Sequence, residues 1–229
     1  MVRRLARATA FPDVWVFPGG AVEESDRGAL PGEAFGADEA LRRLSERGGV
    51  PPEPGDALPL HRAALRELFE ETGVLLARDA GGGSPGPDEL EGLRDGLRRG
   101  GALGALLGRL GLAADLAALT YFSHWITPVG QPRRFDTRFF VAALPDGQRA
   151  SHCGDETCDG RWIAPRDALG GDAFPLVVPT RMHLERLAEL RTLDELLAAA
   201  TTKPIRTVLS GRPIEPDDRR WWSGEGRGW

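Results

Sequence analysis

Several features that would place this chain in a familiar class are scarce or missing. Its two cysteines, Cys153 and Cys158, form one Cys-x4-Cys pair without a second pair to complete a zinc site, so reduced thiols in a loop are expected. Arg, Asp or Gly interrupts every apolar stretch well short of the roughly 18 residues that a membrane-spanning helix needs. The formal net charge of −5 offers no general attraction for nucleic acid. Zinc-binding, membrane-spanning and nucleic-acid-binding proteins are therefore disfavoured.

The composition that is present fits one medium-sized domain. Of the 229 residues, 41% are hydrophobic and 28% are charged, which suffices for a full core and does not require a second domain. We expect a single domain over residues 1–200 and a C-terminal tail over 201–229. The first four residues lack the apolar core of a signal peptide, and the last five are not a peroxisomal address, so we expect a cytoplasmic location.

The most informative segment is an acidic tract, RELFEETGV, at residues 66–74. On a helix, its three carboxylates, Glu67, Glu70 and Glu71, share an arc of roughly 100°, while apolar residues lie opposite. Like charges at these spacings repel by roughly 0.2–0.5 kcal/mol per pair, and the end of a helix favours cations. A bound divalent cation such as Mg²⁺ would reverse both penalties. The alternative is a solvated acidic face without a ligand.

An apolar strand and a glycine turn stand upstream of this helix. Residues 14–17, VWVF, read as a short strand, and Pro18 biases Phe17 toward an extended conformation. The pair Gly19-Gly20 allows backbone angles that bring a carbonyl close to a ligand. The order of strand, glycine turn and acidic helix is typical of a binding site.

At this point the sequence resembles the Nudix hydrolase superfamily, whose signature is G-x5-E-x7-R-E-U-x-E-E-x-G-U, where U is aliphatic. Gly20 opens the signature, and residues 66–74 match its second half at every specified position. Asp26 stands where the signature has Glu, one methylene shorter. Asp26 and Arg66 are separated by 39 residues instead of 7, an insertion of 32 residues. This split box resembles the acyl-coenzyme A diphosphatase branch, as do WITP at 125–128, RRFDTRFF at 133–140 and Pro179-Thr180.

The resemblance implies an α/β (α+β) Nudix fold, with a mixed β-sheet sandwiched between α-helices. The first strand would be clipped, because only residues 1–5 are available to supply it. One insertion, 27–60, would interrupt the box, and 79–118 would form a linker and a helical insertion. The first insertion either contacts the acyl-pantetheine arm of a substrate or forms a surface excursion.

The resemblance also implies the roles of individual residues. Mg²⁺ or Mn²⁺ would be held by Glu67, Glu70, Glu71 and the Gly20 carbonyl, and Arg66 would orient the glutamates. Either Glu70 or Glu156, which lies in a loop outside the box, would take the proton from the attacking water. Phosphate groups would be bound by arginines suited to bidentate contacts, with a solvated strand edge as the alternative: Arg133, Arg134 and Arg138.

Three functions remain open at this point. The first is hydrolysis of a nucleoside diphosphate linked to another moiety, with coenzyme A or an acyl-CoA giving 3′,5′-ADP and (acyl) 4′-phosphopantetheine. The second is a Nudix pyrophosphatase acting on ADP-ribose, NADH or nucleotide sugars. The third is a non-catalytic Nudix-fold binding module. The tryptophans at 221–222 could pack on the domain or on a second copy of the chain, which would give a homodimer.

Overall fold

A computed structural model describes most of the chain: residues 1–8, 11–31, 36–46, 51–53, 55–127, 133–152, 157–171, 173–205 and 207–209. The strands within these ranges are β1 (Val2–Arg4), β2 (Trp15–Val16), β3 (Ala77–Arg78), β4 (Ala113–Ala114), β5 (Thr120–Ile126), β6 (Asp136–Val141), β7 (Thr157–Gly160) and β8 (Thr207–Leu209). The helices are α1 (Ala37–Glu46), α2 (Ala57–Thr72), α3 (Pro87–Arg98), α4 (Leu103–Arg109), α5 (Pro165–Leu169), α6 (Val178–Leu187) and α7 (Leu193–Thr202). Short 3-10 turns cover Glu24–Arg27 and Leu116–Ala118.

Within the described residues, the strands form three small sheets, where one continuous mixed sheet was expected. The first has the order β2-β1-β7 and is antiparallel throughout, and the second pairs β3 with β4. In the third, β5 lies between antiparallel β6 and parallel β8, which makes this sheet mixed. Strand β1 has three residues, lies in the middle of its sheet and pairs on both sides.

Helices cover both faces of the β5–β6 pair, as the expected α/β architecture requires. On one face, Tyr121 and Phe140 contact each other, and the Phe140 ring lies 4.8 Å from the His61 ring on α2. On the other face, Phe122 and Trp125 pack with residues of α6 and α7. The largest apolar cluster joins α2 to α3 and α4, and its centre is fully buried: Leu65, Phe69, Leu93 and Leu107.

The three segments that the sequence set apart from the core domain contribute regular structure. The segment 27–60 holds α1 and the first turn of α2, while 79–118 holds α3, α4 and β4. The segment expected as a tail supplies β8, whose Val208 pairs with Trp125. Among the described residues, no helix combines the length and apolar character needed to cross a bilayer.

Candidate active site

Helix α2 presents the acidic tract on the side opposite its apolar core contacts. The helix ends in Gly73, whose left-handed φ of +70° lets its N–H donate to the Phe69 carbonyl at 2.7 Å. Leu65 and Phe69 point into the core. The acidic side is also covered, since the Glu71 residue is only 6% exposed. The sequence predicted an acidic face, and the structure shows that this face is largely enclosed.

The glycine turn that precedes the insertion covers this face. The Gly19 N–H donates to Glu71 Oε2 at 3.0 Å. Gly20 lies directly against the Glu67 carboxylate, because a Cβ added at Gly20 would lie only 2.2 Å from Glu67 Oε1. Only a glycine permits so close an approach. The first and second halves of the split box therefore meet in space despite the insertion between them.

Arg66 connects the two halves through its guanidinium group. Its Nε donates to Asp26 Oδ1 and its Nη2 to Asp26 Oδ2, both at 3.0 Å, in the bidentate geometry typical of strong arginine–carboxylate pairs. Its Nη1 donates to Glu67 Oε1 and to Glu70 Oε2, both at 2.9 Å. The backbone also takes part, since Nη2 donates to the Ala21 carbonyl at 3.0 Å. Arg66 thus fixes the positions of Asp26, Glu67 and Glu70 together.

These contacts shift the protonation equilibria of the site. Burial acts to lower the pKa of Arg66, but the hydrogen bonds to Asp26 and the charges of Glu67 and Glu70 outweigh it and raise that pKa. For Glu70, burial raises the carboxyl pKa above its ordinary value, although the charge of Arg66 opposes the shift. Arg66 is therefore a permanent cation in this arrangement.

Hard oxygen donors such as these carboxylates suit Mg²⁺ or Mn²⁺. In this conformation, however, Arg66 takes an oxygen of Glu67 and of Glu70, and the Gly19 N–H takes one of Glu71. Within the described ranges, no three His, Cys, Asp or Glu side chains are grouped so as to hold a metal ion. The donor chemistry of the three carboxylates fits a divalent cation.

The hydrogen bonds of Arg134 and Arg138 join these candidate arginines to residues outside this cluster. Arg134 is exposed and donates from Nε to the Thr127 carbonyl at 3.1 Å, and Arg133 is exposed beside it. Arg138 does not fit the alternative of a solvated strand edge, because its side chain is only 4% exposed and its Nη1 donates to Asp136 at 2.7 Å. Both residues lie on β6. Glu156 lies outside the described residues.

Two contributors were not anticipated from the sequence. One is Arg62, a buried residue whose Nη1 donates to the Asp26 carbonyl at 3.1 Å and so holds the backbone under Asp26. Its position one turn before Arg66 on the same helix face was the available signal. The other is the Gly19 N–H, a backbone group that a side-chain motif does not reveal.

The fold and this site define a Nudix-type α/β domain. A family model described as the NUDT19 Nudix domain matches residues 1–172. The chain belongs to this family, which is a branch of the Nudix hydrolases.

Individual relatives agree with the family match. An acyl-coenzyme A diphosphatase NUDT19 from Gallus gallus is 30% identical over 261 residues, covering 93% of this chain and 67% of that protein. The Homo sapiens protein of the same name is 33% identical over 150 residues, covering 58% of this chain and 40% of that protein. A Caenorhabditis elegans nudix hydrolase is 27% identical over 91% of this chain, which spans 63% of its length.

A solved structure supports the fold independently. The crystal structure of a NUDIX hydrolase from Alicyclobacillus acidocaldarius superposes with a TM-score of 0.65 and 31% sequence identity. The match covers 93% of this chain and 88% of that one. The likeness thus extends over most of both chains.

Proposed function

We propose that this chain hydrolyses the diphosphate bond of coenzyme A or an acyl-coenzyme A, giving 3′,5′-ADP and 4′-phosphopantetheine or its acyl derivative. The observation that carries the proposal is the joining of both halves of the split box by Arg66, which bonds Asp26 on one edge and Glu67 and Glu70 on the other. The names of the Gallus gallus and Homo sapiens relatives support coenzyme A as the substrate class.

In this proposal Mg²⁺ or Mn²⁺ is held by the carboxylates of Glu67, Glu70 and Glu71 with the Gly20 carbonyl. A bound divalent cation neutralises phosphate charge and lowers the pKa of a coordinated water. Arg66 keeps Glu67 and Glu70 on one side of α2, and the Gly19 N–H does the same for Glu71. These contacts position the carboxylates before the substrate arrives, which reduces the reorganisation that the reaction requires.

In the reaction, water adds to one phosphorus of the diphosphate, and the bond between that phosphorus and the bridging oxygen breaks. Each product keeps one of the two phosphates of the former diphosphate. Glu70 is our candidate for the proton acceptor, because its side chain is 35% exposed and so open to water, against 14% for Glu67. Glu156 remains the alternative acceptor. Arg133 and Arg134, both exposed beside β6, are our candidates for phosphate contacts of the nucleotide.

A substrate panel tests the proposal directly. Coenzyme A, acyl-CoA, ADP-ribose and NADH are each incubated with the protein and Mg²⁺ or Mn²⁺, and the products are identified by mass. Release of 3′,5′-ADP from the CoA compounds is the expected result. Cleavage of ADP-ribose or NADH alone would establish the broader pyrophosphatase instead. If none of the compounds is cleaved, the non-catalytic Nudix-fold binding module would be favoured.

The glutamates are tested by single substitutions. Glu67→Gln and Glu71→Gln each remove a charge that the proposal assigns to cation binding, so the rate should fall by well over tenfold. Glu91→Gln on α3 is the matched control, because Glu91 is exposed and its pairs with Arg94 and Arg98 contribute little. If either box variant keeps more than about a tenth of the rate of the Glu91→Gln protein, that glutamate does not hold the metal.

A further inference from the structure

A cavity of about 340 Å³ lies beside the acidic face of α2, and the guanidinium group of Arg66 lies between the two. Arg66 turns its Nη1 toward Glu67 and Glu70, and its Nε and Nη2 toward Asp26. Both Asp26 and Arg66 line the cavity. The cavity therefore lies next to the place where the proposed function puts the diphosphate.

Two segments that lie outside the family signature build the walls of this cavity. One wall comes from the start of the box insertion, at residues 29–31, and the other from the N-terminal half of α4, with its preceding residue, at 102–105. The two walls touch, because a Cβ at Gly104 would lie 3.0 Å from Leu30 Cδ2, and one at Gly108 would lie 3.2 Å from Pro31 Cγ. Small residues on α4 thus let the two insertions close over the Asp26–Arg66 pair.

The lining separates into a polar floor and apolar walls. The floor is formed by Ser25, Asp26, Arg62 and Arg66, and the walls by alanine, leucine, proline and glycine residues. Among the described lining residues there is no aromatic ring on which a nucleobase could stack. The Arg66 guanidinium is already bonded to carboxylates, and Arg62 Nη1 donates to backbone carbonyls, which disfavours a further phosphate. The chemistry suits a neutral chain of amides and methylene groups.

We propose that this cavity binds the pantetheine arm of the substrate, with any acyl group that it carries. The proposal rests on the proposed function and adds that the two insertions together determine which acyl-pantetheine group the enzyme accepts. The amides of the arm would face the polar floor, and its methylene groups would lie against Leu30, Pro31 and Leu103.

The test fills the cavity from an exposed position. Ala105→Phe places a ring in the space from α4, and Ala198→Phe makes the same change at an exposed position on α7, away from the cavity. Binding of 4′-phosphopantetheine and of 3′,5′-ADP, with Mg²⁺ present, is measured by calorimetry for both variants and the unaltered protein. We expect Ala105→Phe to weaken 4′-phosphopantetheine binding about tenfold or more, because it excludes methylene contacts, and to leave 3′,5′-ADP binding unchanged.

The alternative outcomes are separable. Equal 4′-phosphopantetheine affinity in Ala105→Phe and Ala198→Phe, or weakened binding of 3′,5′-ADP instead, would overturn the assignment of the arm to this cavity. If the unaltered protein releases no 3′,5′-ADP from coenzyme A, the proposed function fails, and the calorimetry still decides the cavity separately. Should circular dichroism show that Ala105→Phe is unfolded, Ala29→Phe fills the same space from the opposite, non-helical wall.

Discussion

Replacing Gly20 with alanine should disable the site without unfolding the protein. The added Cβ would lie 2.2 Å from Glu67 Oε1 and 2.6 Å from Glu67 Cδ. Because contacts of a Cβ below 3.0 Å are essentially never seen, the Glu67 carboxylate has to move by about 0.8 Å, the difference between 3.0 and 2.2 Å. The Arg66 hydrogen bond at 2.9 Å opposes that movement, since Asp26 holds Arg66 in place.

The size of the effect follows from this displacement. A misplacement of about 1 Å in a positioned group costs on the order of 100-fold in rate, equivalent to about 2.7 kcal/mol of transition-state stabilisation. Stability should change little. Glycine-to-alanine substitutions at compatible backbone angles stabilise by about 0.4–1 kcal/mol, and the partly exposed Glu67 side chain can turn away.

The assay compares kcat/KM for the hydrolysed substrate over a titration of Mg²⁺ and Mn²⁺, together with thermal unfolding. Gly28→Ala is the matched control, because Gly28 has a φ of −74° and the nearest atom to an added Cβ is the Ser25 carbonyl oxygen at 3.7 Å. We expect Gly28→Ala to behave as the unaltered protein does. If Gly20→Ala retains more than about a third of kcat/KM while remaining folded, the close approach of Gly20 to Glu67 has no part in activity.

Three further predictions concern the Arg66–Asp26 pair, the buried His183 and the C-terminal end of α2. Arg66→Lys keeps the positive charge but cannot form both hydrogen bonds to the buried Asp26 carboxylate. We expect the free energy of unfolding, measured by chemical denaturation, to fall by about 2 kcal/mol and the activity to fall at least 100-fold. Burial lowers the pKa of His183 to about 3, so this histidine stays neutral in the folded protein, whereas the same residue in the unfolded chain takes up a proton near pH 6.5. The free energy of unfolding should therefore fall as the pH drops from 6.5 toward 3. The contribution of His183 to this fall is up to about 1.4 kcal/mol per pH unit. Gly73→Ala forces alanine into a φ of +70° and sets its Cβ against the Arg94 guanidinium, so the melting temperature should fall by an amount corresponding to at least about 1 kcal/mol.

Each of these has a result that would contradict it. An unchanged unfolding midpoint and near-normal activity in Arg66→Lys would show that the bidentate pair with Asp26 is dispensable. For His183, the control is His183→Gln, which should flatten the slope of stability against pH, and an unchanged slope would contradict the neutral state of His183. A melting temperature for Gly73→Ala equal to that of the unaltered protein would contradict the conformational demand at the helix end.

The sequence by itself predicted which residues form the candidate site. The spacing of Glu67, Glu70 and Glu71 depends only on helical periodicity, a local property, and the helix forms as predicted. Gly20 was recognised from its place in the signature. The α/β class was implied by the resemblance to the Nudix hydrolases, and the structure confirmed it.

Tertiary structure decided how those residues relate to one another. That the turn at Gly19 meets Glu71, 52 positions later, depends on how the chain packs across the insertion, and no local rule reports it. The burial of Arg138, the strand at 207–209 and the contact of residues 29–31 with α4 are likewise products of long-range packing. Helix periodicity and motif spacing are encoded over a few residues, whereas a cavity between two insertions exists only after both have folded against the same helix.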